Sequence, residues 1–133
     1  MPRWLLDTNA ISEAVRNPHG PLAARIAAAD SDDLCTSAIV VAELRHGLAK
    51  KPSERLRASI EAVLAVLAIE SFGPEAAQAY GDLRARLEIA GQSMSANDTL
   101  IAAHAIALGC AVVTDDGAFG HPPGLAVENW QRP

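Results

Sequence analysis

Four acidic positions in this chain have side chains of the type that binds divalent metal ions. They are Asp7, Glu43, Asp98 and one aspartate of the Asp115-Asp116 pair. Carboxylates that lie close together repel one another and have raised pKa values, unless cations neutralise them. Ligation by oxygen alone favours Mg²⁺ or Mn²⁺ over zinc. Because such ions activate water and stabilise the oxygens of a phosphoryl displacement, the four acids predict metal-assisted phosphoryl chemistry.

Each acid taken alone also has an ordinary structural explanation. Asp7 is typical of a helix cap after a strand, and Glu43 of a solvated helix residue. Asp98 fits half of a capping box, and the Asp115-Asp116 pair fits a turn. The functional interpretation therefore depends on whether the fold brings these side chains to one place.

Short apolar runs alternate with segments of helical periodicity along the chain. The predicted strands cover residues 4–6, 34–37, 68–70, 111–114 and 125–127. The predicted helices run from residue 9 or 10 to 16 and over 22–29, 39–48, 53–67, 76–87 and 95–108. This alternation predicts an α/β fold, a three-layer α/β/α sandwich with a short, mostly parallel central sheet.

Polar side chains follow three of the predicted strands. These are Asp7-Thr8-Asn9, Thr36-Ser37 and Thr114-Asp115-Asp116. Ligands of open parallel sheets bind beyond the carboxyl ends of the strands. We therefore expect these groups to meet at one edge of the sheet.

The composition predicts one globular, intracellular domain spanning residues 1–133. Half of the residues are apolar, and no apolar run near the N-terminus approaches the length of a signal-peptide core or a membrane span. The two cysteines, Cys35 and Cys110, lie in apolar segments without metal-ligand spacing. We expect them to be buried reduced thiols.

The formal net charge of −5 is unusual for a protein that binds nucleic acid. Metal ions among the acids would reverse the local field. A second possible explanation is the clustering of basic residues, namely Arg45, His46, Lys50, Lys51, Arg55 and Arg57. Such a run is more often a solvated helix face than a binding patch.

Four segments, in this order, resemble the motifs of the PIN-domain ribonucleases, and in particular the VapC-type toxins of type II toxin-antitoxin modules. The segments are LLDTNAIS (5–12), AELRHG (42–47), NDTLIAAHA (97–105) and VTDD (113–116). The resemblance extends to Glu128-Asn129-Trp130 and so covers nearly the whole chain.

The resemblance implies a PIN-like fold and an endoribonuclease that hydrolyses RNA phosphodiester bonds with metal-activated water. The expected cofactor is Mg²⁺, with Mn²⁺ as a possible substitute. The expected partners are RNA, a cognate antitoxin and a second copy of the chain, forming a homodimer within the toxin-antitoxin complex. The expected location is the cytoplasm, with no membrane association.

The resemblance also assigns roles to individual residues. Asp7, Glu43 and Asp98 match the main metal-binding acids of the family. Asp116 fits the spacing of the fourth acid better than Asp115, which remains the alternative. The residues expected to support or orient these acids are Asn9, Thr36, Ser37 and Asn97.

Other interpretations make different demands on the sequence. An aspartyl-nucleophile phosphatase needs a second aspartate two positions after the first, where this chain has Asn9. A non-catalytic PIN-like module that binds RNA or a partner would have lost one of the four acids. His46 and His104 lack a third histidine in ligand spacing, so we expect them to be surface or core residues. The aliphatic residues Leu56, Ile60, Val63, Leu64 and Leu67 are expected in the core. The family resemblance offers an alternative: helices in this region help form the antitoxin groove, and the region from Tyr80 to Leu87 lies near the homodimer contact, so that some apolar residues face a partner.

Overall fold

Five short strands form one parallel sheet in the computed structural model, which describes residues 2–115, 119–120 and 122–131. The strands are β1 (Trp4–Leu6), β2 (Leu34–Ser37), β3 (Ala68–Glu70), β4 (Ala111–Val113) and β5 (Val127–Glu128). Their order across the sheet is β3-β2-β1-β4-β5, and every neighbouring pair is parallel. Strand order therefore reverses at β1, which is where an open parallel sheet places its ligand site.

Six α-helices connect these strands within the described residues. They are α1 (Thr8–Arg16), α2 (Pro21–Ala28), α3 (Ala38–Lys50), α4 (Glu54–Leu64), α5 (Pro74–Ile89) and α6 (Ala96–Leu108). The chain moves from β1 to β3 in one direction and then crosses back to β4. Because parallel crossovers are right-handed, α1 to α4 and the α5–α6 pair cover opposite faces of the sheet. The expected three-layer fold class is confirmed.

Side chains that cap the helices explain where several of them begin. Asp7 Oδ1 accepts a hydrogen bond from the Ala10 backbone N–H at 2.8 Å, so α1 begins at Thr8 and not at residue 9 or 10 as expected. Ser53 caps α4, and Ser95 caps α6, each through its hydroxyl. The starts predicted for α4 and α6 are therefore confirmed.

Several other boundaries also differ from the sequence-based expectation, and two of them have a clear local cause. The helix predicted over 53–67 ends at Leu64, because the backbone turns there before entering β3. The last strand begins at Val127 and not at residue 125, since Leu125 belongs to a turn closed by its bond to Pro122 O. The alternation of apolar and helical segments locates the elements better than it locates their ends.

The core lies between the sheet and the two helical layers and is mainly aliphatic. Ile60, Leu64 and Leu67 are buried in it as expected, and Val63 packs against it. Leu56 is 39% exposed, so the expectation that it belongs to the core is wrong. It occupies the first turns of α4, where that helix forms the side of an open groove.

The two cysteines are free and buried, as expected. Their sulfur atoms lie 3.9 Å apart. The hydrogen bond with Cys110, together with burial, raises the pKa of the Cys35 thiol. Among the described residues, no helix combines the length and apolar character needed to cross a membrane.

Candidate active site

The carboxyl ends of three neighbouring strands are joined by hydrogen bonds. β1 pairs with β4 so that Leu6 lies opposite Val113, and the Asp7 backbone N–H donates to Val113 O at 3.2 Å. On the other side, the Thr36 hydroxyl donates to Leu6 O at 2.7 Å. The residue directly after β1 is thus held between β2 and β4.

Asp7 occupies this central position and is only 3% exposed. Its Oδ1 caps α1 through the Ala10 backbone N–H. The ordinary explanation of this aspartate as a helix cap is therefore correct as far as it goes. The same carboxylate lies at the edge of the sheet where ligands of open parallel sheets bind.

Glu43 lies in the second turn of α3 and is half-buried. The hydroxyl of Thr8 donates to Glu43 Oε1 at 2.7 Å. Since Thr8 directly follows Asp7, this bond brings two of the predicted acids to neighbouring positions. Sequence reasoning missed Thr8 and chose Asn9, although both belong to the same Asp-Thr-Asn motif.

Asp98 is half-buried in the first turn of α6, a helix that packs against α3. Its backbone N–H donates to the hydroxyl of Ser95 at 3.1 Å. A carboxylate in the first turn also interacts favourably with the helix dipole. The structure thus places Asp98 on a helix next to the one that carries Glu43.

Asp115 follows β4 and is held by the segment after β5. Asn129 Nδ2 donates to Asp115 Oδ1 at 3.1 Å. The Gln131 amide, oriented with its nitrogen toward Asp115, donates to the same carboxylate. Asp116, the preferred fourth acid, lies outside the described residues.

The other predicted supporting residues fall into two groups. Asn9 and Asn97 are exposed near the starts of α1 and α6, and their proposed role in orienting the acids stays a prediction. Thr36 and Ser37 are fully buried and hydrogen-bonded. Ser37 also contacts His104, whose Nδ1 lies 2.8 Å from the serine Oγ.

Within residues 2–115, 119–120 and 122–131, no group of three or more His, Cys, Asp or Glu side chains is gathered closely enough to hold a metal ion. The chemistry of the donors nevertheless fits a hard cation. The carboxylates of Asp7 and Glu43 lie at the strand edge, and Asp98 lies on the helix packed against α3. Oxygen donors of this kind suit Mg²⁺ or Mn²⁺, with Asp116 as a further acid in the sequence.

The family model of the PIN domain matches residues 4–125 of this chain. The parallel sheet and three of the predicted acids, Asp7, Glu43 and Asp98, lie within the matched residues. The chain belongs to the PIN-domain family.

Two curated relatives match over almost their whole length. Ribonuclease VapC2 of Rickettsia felis is 34% identical over 132 residues, covering 97% of this chain and 98% of the relative. The tRNA(fMet)-specific endonuclease VapC of Salmonella typhimurium is 30% identical, covering 98% and 99%. Within the PIN-domain family, the chain is one of the VapC ribonucleases.

A solved structure supports the same grouping. The DNA-bound VapBC of Salmonella typhimurium contains a chain that matches with a TM-score of 0.90 and 30% identity. The match covers 98% of this chain and 99% of the other. The similarity therefore extends over the complete fold that carries the site.

Proposed function

We propose that this chain is a metal-dependent endoribonuclease, the toxin of a type II toxin-antitoxin system, which acts in the cytoplasm. The observation that carries the proposal is the bond between Thr8 and Glu43 beside the buried carboxylate of Asp7. It joins two acids that lie 36 positions apart in the sequence to one edge of the sheet. Because the chain is one of the VapC ribonucleases, the reaction that we assign to this edge of the sheet is the hydrolysis of RNA.

Asp7, Glu43, Asp98 and Asp116 would hold Mg²⁺ or Mn²⁺ in this proposal. A bound ion of this kind lowers the pKa of water and neutralises charge on a phosphate. The protein's own residues fix the ligands: α1 is capped by Asp7, and Thr8 fixes one oxygen of Glu43. The expected products are a 5′-phosphate and a 3′-hydroxyl.

Asp116 is a better candidate for the fourth acid than Asp115. The Asp115 carboxylate already accepts from Asn129, and the Gln131 amide faces it as well. The Asp115 side chain is thus directed toward the segment after β5. We therefore assign Asp115 to holding the loop and keep Asp116 in the ligand set.

We also propose that an antitoxin binds in a groove beside the acids. A cavity of about 640 Å³ opens next to Thr8 and Glu43, between α1, α3 and α4. Its apolar lining consists of Val15, Leu44, Leu48, Leu56 and Ile60. An amphipathic segment of a partner buries its apolar face in a groove of this kind. The VapBC structure and the family resemblance support this partner, and an antitoxin arginine would pair with the carboxylates.

A homodimer is a further part of the proposal. The family resemblance locates the contact near residues 80–87, which lie on α5. Gly81, Asp82, Arg84, Ala85 and Arg86 are exposed there. Exposure of these side chains leaves this part of α5 accessible to a second copy.

The test is cleavage of labelled RNA by protein freed of co-purifying antitoxin. Initiator tRNA is the first substrate to try, because the Salmonella relative is named for tRNA(fMet). We expect cleavage with Mg²⁺ or Mn²⁺, no cleavage with EDTA, and none by the Asp98→Asn variant. Asp32→Asn is the matched control and should cleave normally, because it changes an exposed aspartate that precedes the amino end of β2.

The outcomes separate the proposal from its main alternative. Retained cleavage by Asp98→Asn would remove that residue from the site. Metal binding without cleavage of initiator tRNA or of a total cellular RNA pool would favour a non-catalytic module that binds RNA or a partner.

A further inference from the structure

The imidazole of His104 lies at a buried junction between three parts of the fold. It is only 1% exposed and extends from α6 toward the end of β2. Its Nδ1 lies 2.8 Å from Ser37 Oγ, and its ring packs edge to face on Phe72 at 5.3 Å between centroids. The ring also forms a hydrogen bond with the backbone of Ser71, in the segment after β3. The imidazole therefore connects α6 to β2 and to the chain after β3.

The hydrogen bonds around the ring have a definite direction. Burial lowers the pKa of His104, so the ring is neutral near pH 7, with one donor nitrogen and one acceptor nitrogen. The Ser71 backbone bond raises this pKa, as expected when a ring N–H donates to a carbonyl. We assign Nδ1 as the acceptor of the Ser37 hydroxyl proton, because Ser37 Oγ already accepts from the Ile39 backbone N–H and can donate its own proton to the ring.

Ser37 connects the His104 imidazole to α3, the helix that carries Glu43. Its Oγ accepts from the Ile39 backbone N–H at 3.0 Å and so caps α3. A side-chain cap sets the direction in which the first turn leaves the strand. Glu43 lies in the next turn of α3, where Thr8 holds it.

We propose that His104 is a positioning residue for the acidic site, because its bond to Ser37 fixes the start of α3 relative to α6. The two helices carry Glu43 and Asp98, respectively. A rotation of either helix start would change the separation of these carboxylates. This inference rests on the proposed function, since it concerns the same acids.

The test compares three substitutions that remove different parts of the imidazole. Asn places an acceptor oxygen near the Nδ1 position and can keep the bond to Ser37. Gln places its amide near the Nε2 position and can keep only the contact with Ser71. Leu keeps apolar volume and removes both bonds. Cleavage kinetics, Mn²⁺ affinity by calorimetry and melting temperature are measured for all three variants and the wild type.

We expect His104→Leu and His104→Gln to lower kcat and Mn²⁺ affinity by about tenfold each, as for other residues that orient metal ligands. KM for RNA should change by less than about twofold, because no substrate contact is removed. His104→Asn should recover most of both losses. Comparable melting temperatures for Asn and Gln would show that the difference arises at Ser37.

Two results would overturn the inference while leaving the proposed function intact. One is that the wild type cleaves RNA and that the Leu and Gln variants have the same kcat and the same Mn²⁺ affinity as the wild type. The other is a loss that is the same for Asn and Gln and follows melting temperature alone, as expected of a purely structural residue. A wild type that neither binds Mn²⁺ nor cleaves contradicts the proposed function itself. If the Leu variant does not fold, kcat and Mn²⁺ affinity of the Asn and Gln variants still decide whether the bond to Ser37 is needed.

Discussion

The carboxylate of Asp7 serves both the fold and the proposed chemistry. It caps α1 and lies next to the residue that holds Glu43. Asparagine and aspartate cap helices about equally well. A change of Asp7 to Asn therefore separates the two roles, because it removes the negative charge and keeps the cap.

Thr8→Val tests the role of the hydroxyl that holds Glu43. Valine keeps the shape of the side chain but cannot donate to Oε1. We expect kcat to fall about tenfold, a typical loss when an outer partner of a metal ligand is removed. The measurement is the rate of metal-dependent RNA cleavage, with Thr8→Ser as the control that keeps the donor. Full activity of the valine variant would show that Glu43 does not need this bond.

His104 should make stability depend on pH. Burial lowers its pKa, opposed by the charge of Glu70 and the Ser71 backbone bond, so the unfolded chain binds the proton more tightly. Its contribution is complete above the unfolded pKa of about 6.5 and is lost as pH falls from there through the folded pKa.

The measurement for this prediction is urea unfolding at about pH 7.5 and about pH 5.5, which bracket the histidine titration. As the pH falls between these two values, the free energy of unfolding should decrease more for the wild type than for His104→Leu. The acidic residues are the same in both proteins, so their titration contributes equally. Equal losses in both proteins would mean that His104 is not buried in its neutral form.

Residue types and spacing predict the acids of the site but not the groups that hold them. Asp7 and Glu43 could be predicted as candidates, because Asp7 directly follows a recognisable strand and Glu43 lies in the helix after the second strand. Thr8 and His104 could not, because their bonds to Glu43 and Ser37 join residues 35 and 67 positions apart. Such contacts depend on how elements pack, which no local pattern contains. The metal-binding roles of Asp7, Glu43, Asp98 and Asp116 stay predictions.

At the level of elements, helix starts and stops follow local chemistry. Ser53 and Ser95 cap their helices as their positions suggested, and Gly109 ends α6 with φ +72°. Strand ends are harder to locate, because they depend on pairing: β5 begins where Val127 meets Val112. Caps lie within a few residues of the turn they stabilise, whereas strand pairs join distant segments.

Two glycines should respond oppositely to alanine. Gly109 adopts a left-handed conformation, so Gly109→Ala should lower the free energy of unfolding by about 1 to 2 kcal/mol. Gly81 lies within α5, and open space surrounds the position that an alanine Cβ would occupy, so Gly81→Ala should raise it by about 0.5 to 1 kcal/mol. Urea unfolding of both variants measures these changes. Similar shifts of one sign would contradict the assigned conformations.

At the level of the whole molecule, Glu128 connects the last described segment to the first strand, β1. Its two carboxylate oxygens accept from the indole N–H groups of Trp4 and Trp130, each at 3.0 Å. The two rings pack edge to face at 5.3 Å. Since β1 carries Asp7 at its end, this contact also supports the strand at the centre of the site.

Glu128→Gln should therefore destabilise the protein. The amide offers one oxygen, so one indole N–H loses its acceptor, at a cost of about 1 to 3 kcal/mol. Glu88→Gln is the control, because the Glu88 side chain forms an exposed ion pair with Arg84, worth about 0 to 1 kcal/mol. The free energy of unfolding is measured in urea. Equal stability of the two variants would show that the indole bonds contribute nothing.

The fold class followed from the alternation of apolar and helical segments, which is a property of the whole chain. The order of strands did not, because it depends on which faces the helices cover. Asp7 and the residues after β4 share one edge because β1 and β4 are parallel neighbours, with Leu6 opposite Val113. Helical spacing alone did not place Leu56 in a groove, since an apolar residue at this spacing fits a core and a docking surface equally well. Only the family resemblance indicated that apolar residues of this region face a partner.

The most direct test of a metal-dependent carboxylate ribonuclease is Mn²⁺ binding and RNA cleavage measured on the same samples of wild type and Asp7→Asn. Wild type is expected to bind Mn²⁺ and to cleave, with cleavage lost in EDTA and restored when Mn²⁺ is added back. The folded Asp7→Asn variant is expected to bind weakly and not to cleave. An Asp7→Asn protein that cleaves like wild type, or a wild type that cleaves equally well in EDTA, would contradict the account.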